Sequence, residues 1–506
     1  MALAGVPCIT TAILVWALTI AACRCCDSEA KRSKPPCPTF RKKDKHSEDL
    51  LLHPTNDHIS KESLDKMRQA SRVCLPCPGR NIEAYSGFIP VDSGEDESYS
   101  SYLFFLHIKS EKNANKKPLL LWLQGGPGKS ALYGQFLENG PLGMTVLGTL
   151  YKRRHTLLKQ FNIIYLDQPV GAGYSFDRHE KYPSSLEEVS VHLMRFMRRF
   201  LRIFHEYKGR DFYVAGESYG ARSAVGLAQR VLTRKPDEFP LRLKGVMLGV
   251  GFVFPLLEMI NSADYLYCSS LLDEQGRDKF SQRFEAIQYL VKAHNYTAAA
   301  GLLSHTVLNM HPGGHKSLFE ALTGFESHGS IIRPVASIQH YKYIKYADSP
   351  GFKRIIHVDT SRTLDGTRTQ LVMRLAVGDF FVDLTPALVD VLNNVRVLFY
   401  TAQLDAVFPA TKMERLFSNL NWRGAGMFRK AARHPWYKSG TRNKLLLGYE
   451  KVAGTLMYNT VLFGGHMISF DQPAAVVDLY ARFLKFASMP APNVPDHKCD
   501  GQKGRC

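Results

Sequence analysis

A chain of 506 residues, 45% of them hydrophobic, is far larger than a small single core requires, so one large α/β domain with insertions or two to three ordinary domains fit it. Lys and Arg outnumber Asp and Glu by 65 to 46, a formal charge of +19. These charges are spread along the chain without a zinc-finger or RNA-binding signature, so a generally basic surface is expected and no nucleic-acid partner.

Residues 2–22 are apolar and end in small residues before Cys23. Residues 1–26 therefore read as a secretory signal peptide. The run is nearly long enough to span a bilayer, and an uncleaved anchor is the alternative. The basic flank at Arg24, Lys31, Arg32 and Lys34 would then leave the body cytosolic, which favours cleavage and no stable span after signal removal. Residues 27–80 are rich in Lys, Pro and Cys with little periodic apolar pattern, and read as a mobile basic lead-in and candidate pro-segment. Of 10 cysteines, only Cys268 falls in the body from 78 to 498. Terminal pairs suit an oxidising compartment, although their pairing is not legible. Asn295-Tyr296-Thr297 is the one glycosylation sequon, on Asn295.

From Tyr85 the runs YSGFIPVD and SSYLFFLHI read as a hairpin. Pro118 to Gln124 is a continuous apolar run stopping at Gly125 and Gly126, the pattern of a buried parallel strand. Phe161 to Leu166 is the next strand, and a helix over Ser185 to Tyr207 carries Val189, Leu193, Phe196, Met197, Phe200 and Phe204 on one face. Phe212 to Ala215 reads as a strand, Ala221 to Val231 as a helix, and Leu243 to Val250 as the following strand. Residues 255 to about 380 break the alternation and are expected to form a helical cap. It resumes with strands at Val395 to Tyr400 and Tyr458 to Phe463, and helices at Ala410 to Phe417 and Ala474 to Phe486. Such alternation predicts an α/β fold, a mostly parallel doubly wound sheet whose site gathers at the carboxyl ends of strands.

Between strand Phe212 to Ala215 and its helix stands Gly216-Glu217-Ser218-Tyr219-Gly220, a G-x-S-x-G motif. A chain this long carries that motif by chance about one time in five, so its weight comes from the flanking strand and helix, which make it a nucleophile elbow. A serine hydroxyl needs a base, and the base needs an acid to fix its tautomer. Asp405 follows one later strand and His466 the last, giving the order Ser, Asp, His of the α/β-hydrolases.

The blocks LLLWLQGGPGKS, IIYLDQPVGAGYSF, YVAGESYG, VLFYTAQLDAVF and VLFGGHMISFDQP, in this order, resemble those of the serine carboxypeptidases. QGGPG, QLD and LNWRG resemble the vitellogenic-like branch. The resemblance covers roughly residues 80 to 488 and implies an α/β-hydrolase fold over 81–489, followed by a tail at 490–506. It implies removal of single residues from peptide C-termini, with peptides and proteins as partners and a secreted or lysosome-like setting. It assigns Ser218 as nucleophile, His466 as acid/base, Asp405 as its orienting partner, and the backbone N–H groups of Gly126 and Tyr219 as the oxyanion hole. Gln124, Glu138 and Glu217 would bind the substrate carboxylate, which requires one glutamate to hold a proton and predicts best cleavage at acidic pH. Met467 is a candidate wall for the leaving residue, or a packing residue. No metal or organic cofactor is implied, and the oligomeric state is not legible. The chain departs from the family pattern at Lys129, at Arg222 after the elbow and at Val250, and lacks expected lid cysteines. Lys129 and Arg222 are expected to place positive charge near the site. An acyltransferase or esterase on the same scaffold, and a catalytically silent binding or storage protein, remain open.

Overall fold

The computed structural model describes residues 48–55, 58–93, 98–235, 238–308, 315–440 and 444–490. The expected signal peptide and nearly all of the C-terminal tail lie outside the described residues. In chain order the strands are β1 (Arg72–Val73), β2 (Ala84–Pro90), β3 (Ser101–Ile108), β4 (Leu119–Leu123), β5 (Leu142–Met144), β6 (Leu150–Lys152) and β7 (Asn162–Leu166). They continue with β8 (Phe176–Asp177), β9 (Asp211–Glu217), β10 (Arg242–Gly249), β11 (Arg396–Ala402), β12 (His434–Tyr437), β13 (Leu446–Ala453) and β14 (Leu456–Val461). One sheet runs β1-β2-β3-β7-β4-β9-β10-β11-β14-β13-β12, with β8 against β3; β5 and β6 form a separate hairpin. Its centre, from β7 to β14, is parallel, and both wings are antiparallel.

The parallel centre explains the unbroken apolar runs, because both faces of each strand are covered. Leu119, Leu121 and Leu123 of β4 enter one hydrophobic core, whereas Leu120 and Trp122 enter the other. Helix Leu186–Ile203 packs Val189, Leu193, Phe196 and Phe200 into the first core. It starts where Ser185 accepts a hydrogen bond from the Glu188 N–H, and Glu187 and Glu188 occupy its first turn, where acidic groups meet the positive helix end. Helix Pro473–Ser488 closes the opposite face with Val476, Leu479, Tyr480 and Phe483.

Register brings the strand ends together. Leu123 pairs with Gly216, Glu217 with Gly249, Gly249 with Tyr400, and Ala402 with Val461. The loops that leave β4, β9, β11 and β14 therefore emerge along one rim. Between β10 and β11 the described residues contain helices and no strand, from Leu256–Ile260 to Thr385–Asn394; this segment is called the cap below.

The lead-in differs from the expectation. Residues 48–80 are ordered wherever they are described. The Leu52 N–H donates to the Phe88 carbonyl at 2.8 Å, and Phe88 donates to Leu50 at 2.9 Å. Ser60 caps helix Lys61–Ala70, β1 joins the sheet edge, and Cys74 and Cys77 are disulfide-bonded. That helix has no fully buried residue, so its sequence lacks the apolar stripe by which helices are recognised.

Candidate active site

Ser218 stands between β9 and helix Tyr219–Leu232 with φ 53° and ψ −120°, a conformation L-residues avoid unless the surroundings enforce it. Here they do. The Ser218 N–H donates to Gly249 at 2.9 Å, and its carbonyl accepts from Phe252 at 3.0 Å and Ala221 at 3.1 Å. The two motif glycines are required by close approach: a Cβ on Gly216 would collide with the Gly220 carbonyl, and one on Gly220 with the Leu123 carbonyl.

His466 follows β14, and its Nδ1 donates to Asp405 Oδ2 at 2.9 Å. Asp405 Oδ1 accepts from the Val407 and Phe408 N–H groups at 2.8 and 3.1 Å. Oδ1 is thus held by two backbone donors while Oδ2 faces the imidazole, and both side chains are buried. The Phe408 ring meets His466 edge-on at 5.5 Å, and the His466 N–H donates to Gly329 of the cap at 2.7 Å. Ser218 and His466 share one cavity of about 240 Å³ under the cap.

The loop after β4 lies against the elbow. A Cβ on Gly125 would fall 2.6 Å from the Glu217 carbonyl and 2.9 Å from Ser218 Cβ. Gly126 has φ +122°, open to glycine and disfavoured for other residues. Tyr219, as the first residue of its helix, has an N–H without an intrahelical acceptor. Gly126 and Tyr219 both line the cavity, as do Gln124, Glu217 and Met467.

Glu138, in the helical turn Gly134–Glu138, is fully buried, and neither carboxylate oxygen has a hydrogen-bond donor among the described residues. The same holds for Glu217 Oε2. Glu217 Oε1 accepts from Ser469 at 2.8 Å and Tyr400 at 3.3 Å. Burial, then the charge of Glu217, pushes the Glu138 carboxyl well above its ordinary value; Lys129 and Gln124 oppose this. Burial also raises Glu217, against hydrogen bonds and the charge of His466. A proton on Glu138 would turn two facing acceptors into a donor and an acceptor, the arrangement that leaves least buried polarity unmet. Gln124 is held by Trp122 Nε1, which donates to its Oε1 at 2.9 Å.

One expectation is corrected. Arg222 adds no charge to the cavity: its Nε and Nη2 donate to Asp379 oxygens at 2.7 and 3.3 Å, and its guanidinium lies 4.8 Å from the Phe252 ring centre. The Tyr219 hydroxyl donates to the same carboxylate at 2.8 Å, so the Arg222–Asp379 pair holds the helix start from behind. Val250 keeps φ 40° with its side chain buried, and its N–H still donates to Tyr400 at 2.8 Å, so the turn stays closed without a polar residue. Lys129 does line the cavity. Cys268 is a free, exposed thiol. Asn295 is exposed and caps helix Tyr296–Leu303 through its side chain. Sequence reasoning missed Ser469, Tyr400 and Asp379, which act through the expected residues, and the cap residues His328, Gly329 and Arg368, whose segment carries no motif.

An open α/β sheet with Ser218 on an elbow, a buried His466–Asp405 pair and a cap over both defines the α/β-hydrolase class. The family described as "Serine carboxypeptidase" matches residues 76–486. A human probable serine carboxypeptidase, CPVL, is 31% identical over 440 residues, covering 86% of this chain and 89% of that protein. The vitellogenic carboxypeptidase of Aedes aegypti is 30% identical, covering 88% and 91%, and the venom serine carboxypeptidase of Apis mellifera 30%, covering 79% and 84%. The crystal structure of Kex1, a prohormone-processing carboxypeptidase of Saccharomyces cerevisiae, shares the fold with a TM-score of 0.67 at 21% identity, covering 82% of this chain and 96% of that one. The chain belongs to the serine carboxypeptidase family, and its enzyme class is serine-type carboxypeptidase. No described helix is long and apolar enough to cross a membrane.

Proposed function

We propose that this carboxypeptidase releases the C-terminal residue of peptides through an acyl-enzyme on Ser218, with His466 and Asp405 completing the triad. The His466–Asp405 hydrogen bond beside the strained serine carries the reading. Asp405 fixes the His466 tautomer so that Nε2 takes the Ser218 proton as Oγ attacks the scissile carbonyl carbon. The tetrahedral oxyanion is met by the Gly126 and Tyr219 N–H groups, donors held in place before reaction and so costing no reorganisation. Collapse breaks the C–N bond, and His466 returns the proton to the leaving amine. Water, deprotonated by His466, then releases the acyl group.

Exopeptidase selectivity comes from Gln124, Glu138 and Glu217. A protonated Glu138 donates to the substrate carboxylate; once ionised it repels that group. Because its carboxyl is raised, proton loss comes well above the ordinary glutamate value of 4.5, and KM climbs with pH through that loss. The best cleavage is therefore at acidic pH, which suits entry through residues 1–26 into a secretory or lysosome-like compartment, with a glycan on Asn295 and Met467 on the leaving-residue wall.

The test is trimming of a blocked dipeptide by the protein and by Ser218→Ala, at pH 5 and pH 7. Release by the unmutated protein alone, with KM lower at pH 5, is the expected result. No release, with Ser218 still labelled by a serine-directed phosphonate, would shift the reading to another acyl acceptor; absence of labelling would shift it to a silent binding protein.

A further inference from the structure

Two cations line the cavity that holds Ser218 and His466, and the mechanism above uses neither: Lys129 and Arg368. They come from different elements, Lys129 from the loop after β4 and Arg368 from the cap at the start of helix Arg368–Gly378, and Arg368 packs against that loop. Lys129 Nζ rests 4.4 Å above the Tyr133 ring, and Arg368 Nε reaches the Pro127 carbonyl at 3.4 Å. The Arg368 stem lies over Gly128, where a Cβ would fall 2.8 Å from its Cγ. Among the described residues neither forms a salt bridge, in contrast to Arg222, which is ion-paired with Asp379.

We propose that Lys129 and Arg368 form a cationic subsite that selects an acidic side chain, aspartate or glutamate, on the C-terminal residue to be released. This rests on the carboxypeptidase reading, because the carboxylate anchor fixes which end of the substrate meets the cations. Lys129 acts electrostatically on Glu138, and the Tyr133 hydroxyl beneath it feels Glu138 and Glu217. Lys129 lines the same cavity as Gln124 and Glu217, which hold the terminal carboxylate of the substrate in that reading.

The charges facing this corner are few. Asp365 attracts both cations and accepts from the Ser130 N–H at 3.0 Å, offsetting about one of the two positive charges. Burial, then the charge of Glu217, raises the Glu138 carboxyl well above its ordinary value, against Lys129 and Gln124. His328 and His340 are pushed down to about 4, mainly by burial and with Lys129 and Arg368 contributing, so they stay neutral above that pH. Burial and Arg368 lower the Lys129 ammonium to about 8, so it is charged throughout the acidic range. Glu217, the acceptor facing Glu138, lines the same cavity and serves the terminal carboxylate in the proposed function, so what this corner offers is two cations without a salt bridge to either, a local complement for a second carboxylate on the substrate.

The experiment compares kcat/KM for blocked dipeptides that differ only in a terminal Glu, Leu or Lys, at pH 5, for the protein and for Lys129→Met and Lys129→Glu, with thermal unfolding midpoints as a check of folding. A charge-assisted contact gives a Glu over Leu preference of roughly tenfold or more. Lys129→Met is expected to remove most of that ratio, and Lys129→Glu to move the preference to the Lys-ending peptide. A Glu:Leu ratio below one in the unmutated protein, or a ratio that folded variants leave unchanged, overturns the inference while the carboxypeptidase reading stands. Equal losses on Glu and Leu peptides would place Lys129 on the terminal α-carboxylate instead and also overturn it. Release from none of the three overturns the parent reading and this one with it.

Discussion

At Asp405 and Glu138 two buried carboxyls face opposite demands. Asp405 is surrounded by donors, two backbone N–H groups and the imidazole, which is what an ionised group requires. Asp405→Asn keeps the shape but lets an amide N–H face Nδ1, which favours the wrong tautomer, and kcat should fall roughly 10⁴-fold with KM little changed in steady-state assays. Neither Glu138 oxygen meets a donor in hydrogen-bond geometry, and burial and the charge of Glu217 raise its carboxyl well above the ordinary value, so the neutral form is the one its surroundings favour. Folded Glu138 keeps its proton above the ordinary 4.5 while the unfolded chain loses it. Its contribution to stability is therefore full below about 4.5 and declines as pH rises, by about 1.4 kcal/mol per unit between the two values. Glu138→Gln should flatten the rise of KM between pH 5 and 8 and raise the urea midpoint relative to the unmutated protein more at pH 7 than at pH 5. A midpoint difference that does not vary with pH would show Glu138 to be ionised in the folded state. Ser218, Asp405 and His466 could be picked out as candidates because each follows a strand, and strand ends can be read from apolar runs. Ser469 and Tyr400, which hold Glu217, were not legible, since a hydroxyl on a buried helix or strand looks like any packing residue until its partner is seen.

The elbow shows how an element is specified by what its residues lack. Helix Tyr219–Leu232 starts one residue after Ser218 and lies so close to β4 that Gly220 has the Leu123 carbonyl where a Cβ would be. Gly220→Ala gains about 1 kcal/mol of helix propensity and loses more, because backbone must move on both sides of the clash, a cost of roughly 3 kcal/mol. Denaturant midpoints should show net destabilisation and kcat should fall with the displaced serine. Gly351, inside helix Pro350–Ile355, has nothing within 4 Å of a Cβ, and Gly351→Ala should be neutral or stabilising by up to about 1 kcal/mol. Opposite signs for one substitution type separate packing from propensity. The same contrast accounts for legibility at this scale. The central strands follow from apolar runs such as LLLWL, whereas helix Lys61–Ala70 buries no residue fully, and its composition reads as a charged linker.

Across the whole molecule, the N-terminal stretch ties cap to sheet. Leu50 donates to the His357 carbonyl at 3.2 Å, the Leu51 region bridges Phe88 of β2, and Asp49 accepts from Arg362 Nε at 2.6 Å. Further along, Arg68 grips Glu206 with two hydrogen bonds of 3.0 and 2.6 Å, and Leu52, Val73 and Leu75 are at most 3% exposed. Each such side chain contributes about 1.5–3 kcal/mol on burial, so the three together rival the 5–15 kcal/mol by which a domain is usually stable. Removal of a pro-segment reaching residue 80 would therefore strip a structural part of the fold rather than an accessory. The mature protein is expected to begin at or before Glu48. A version starting at residue 48 should match the longer chain in thermal midpoint and in kcat/KM, whereas one starting at residue 81 should fail to accumulate or should melt more than about 10 °C lower, given 2–4 °C per kcal/mol at large domain size. N-terminal sequencing of the protein purified from cells decides first: an amino terminus near residue 81 on active enzyme would mean that the buried leucines and β1 are dispensable, and that the cap is held to the sheet by its own contacts alone.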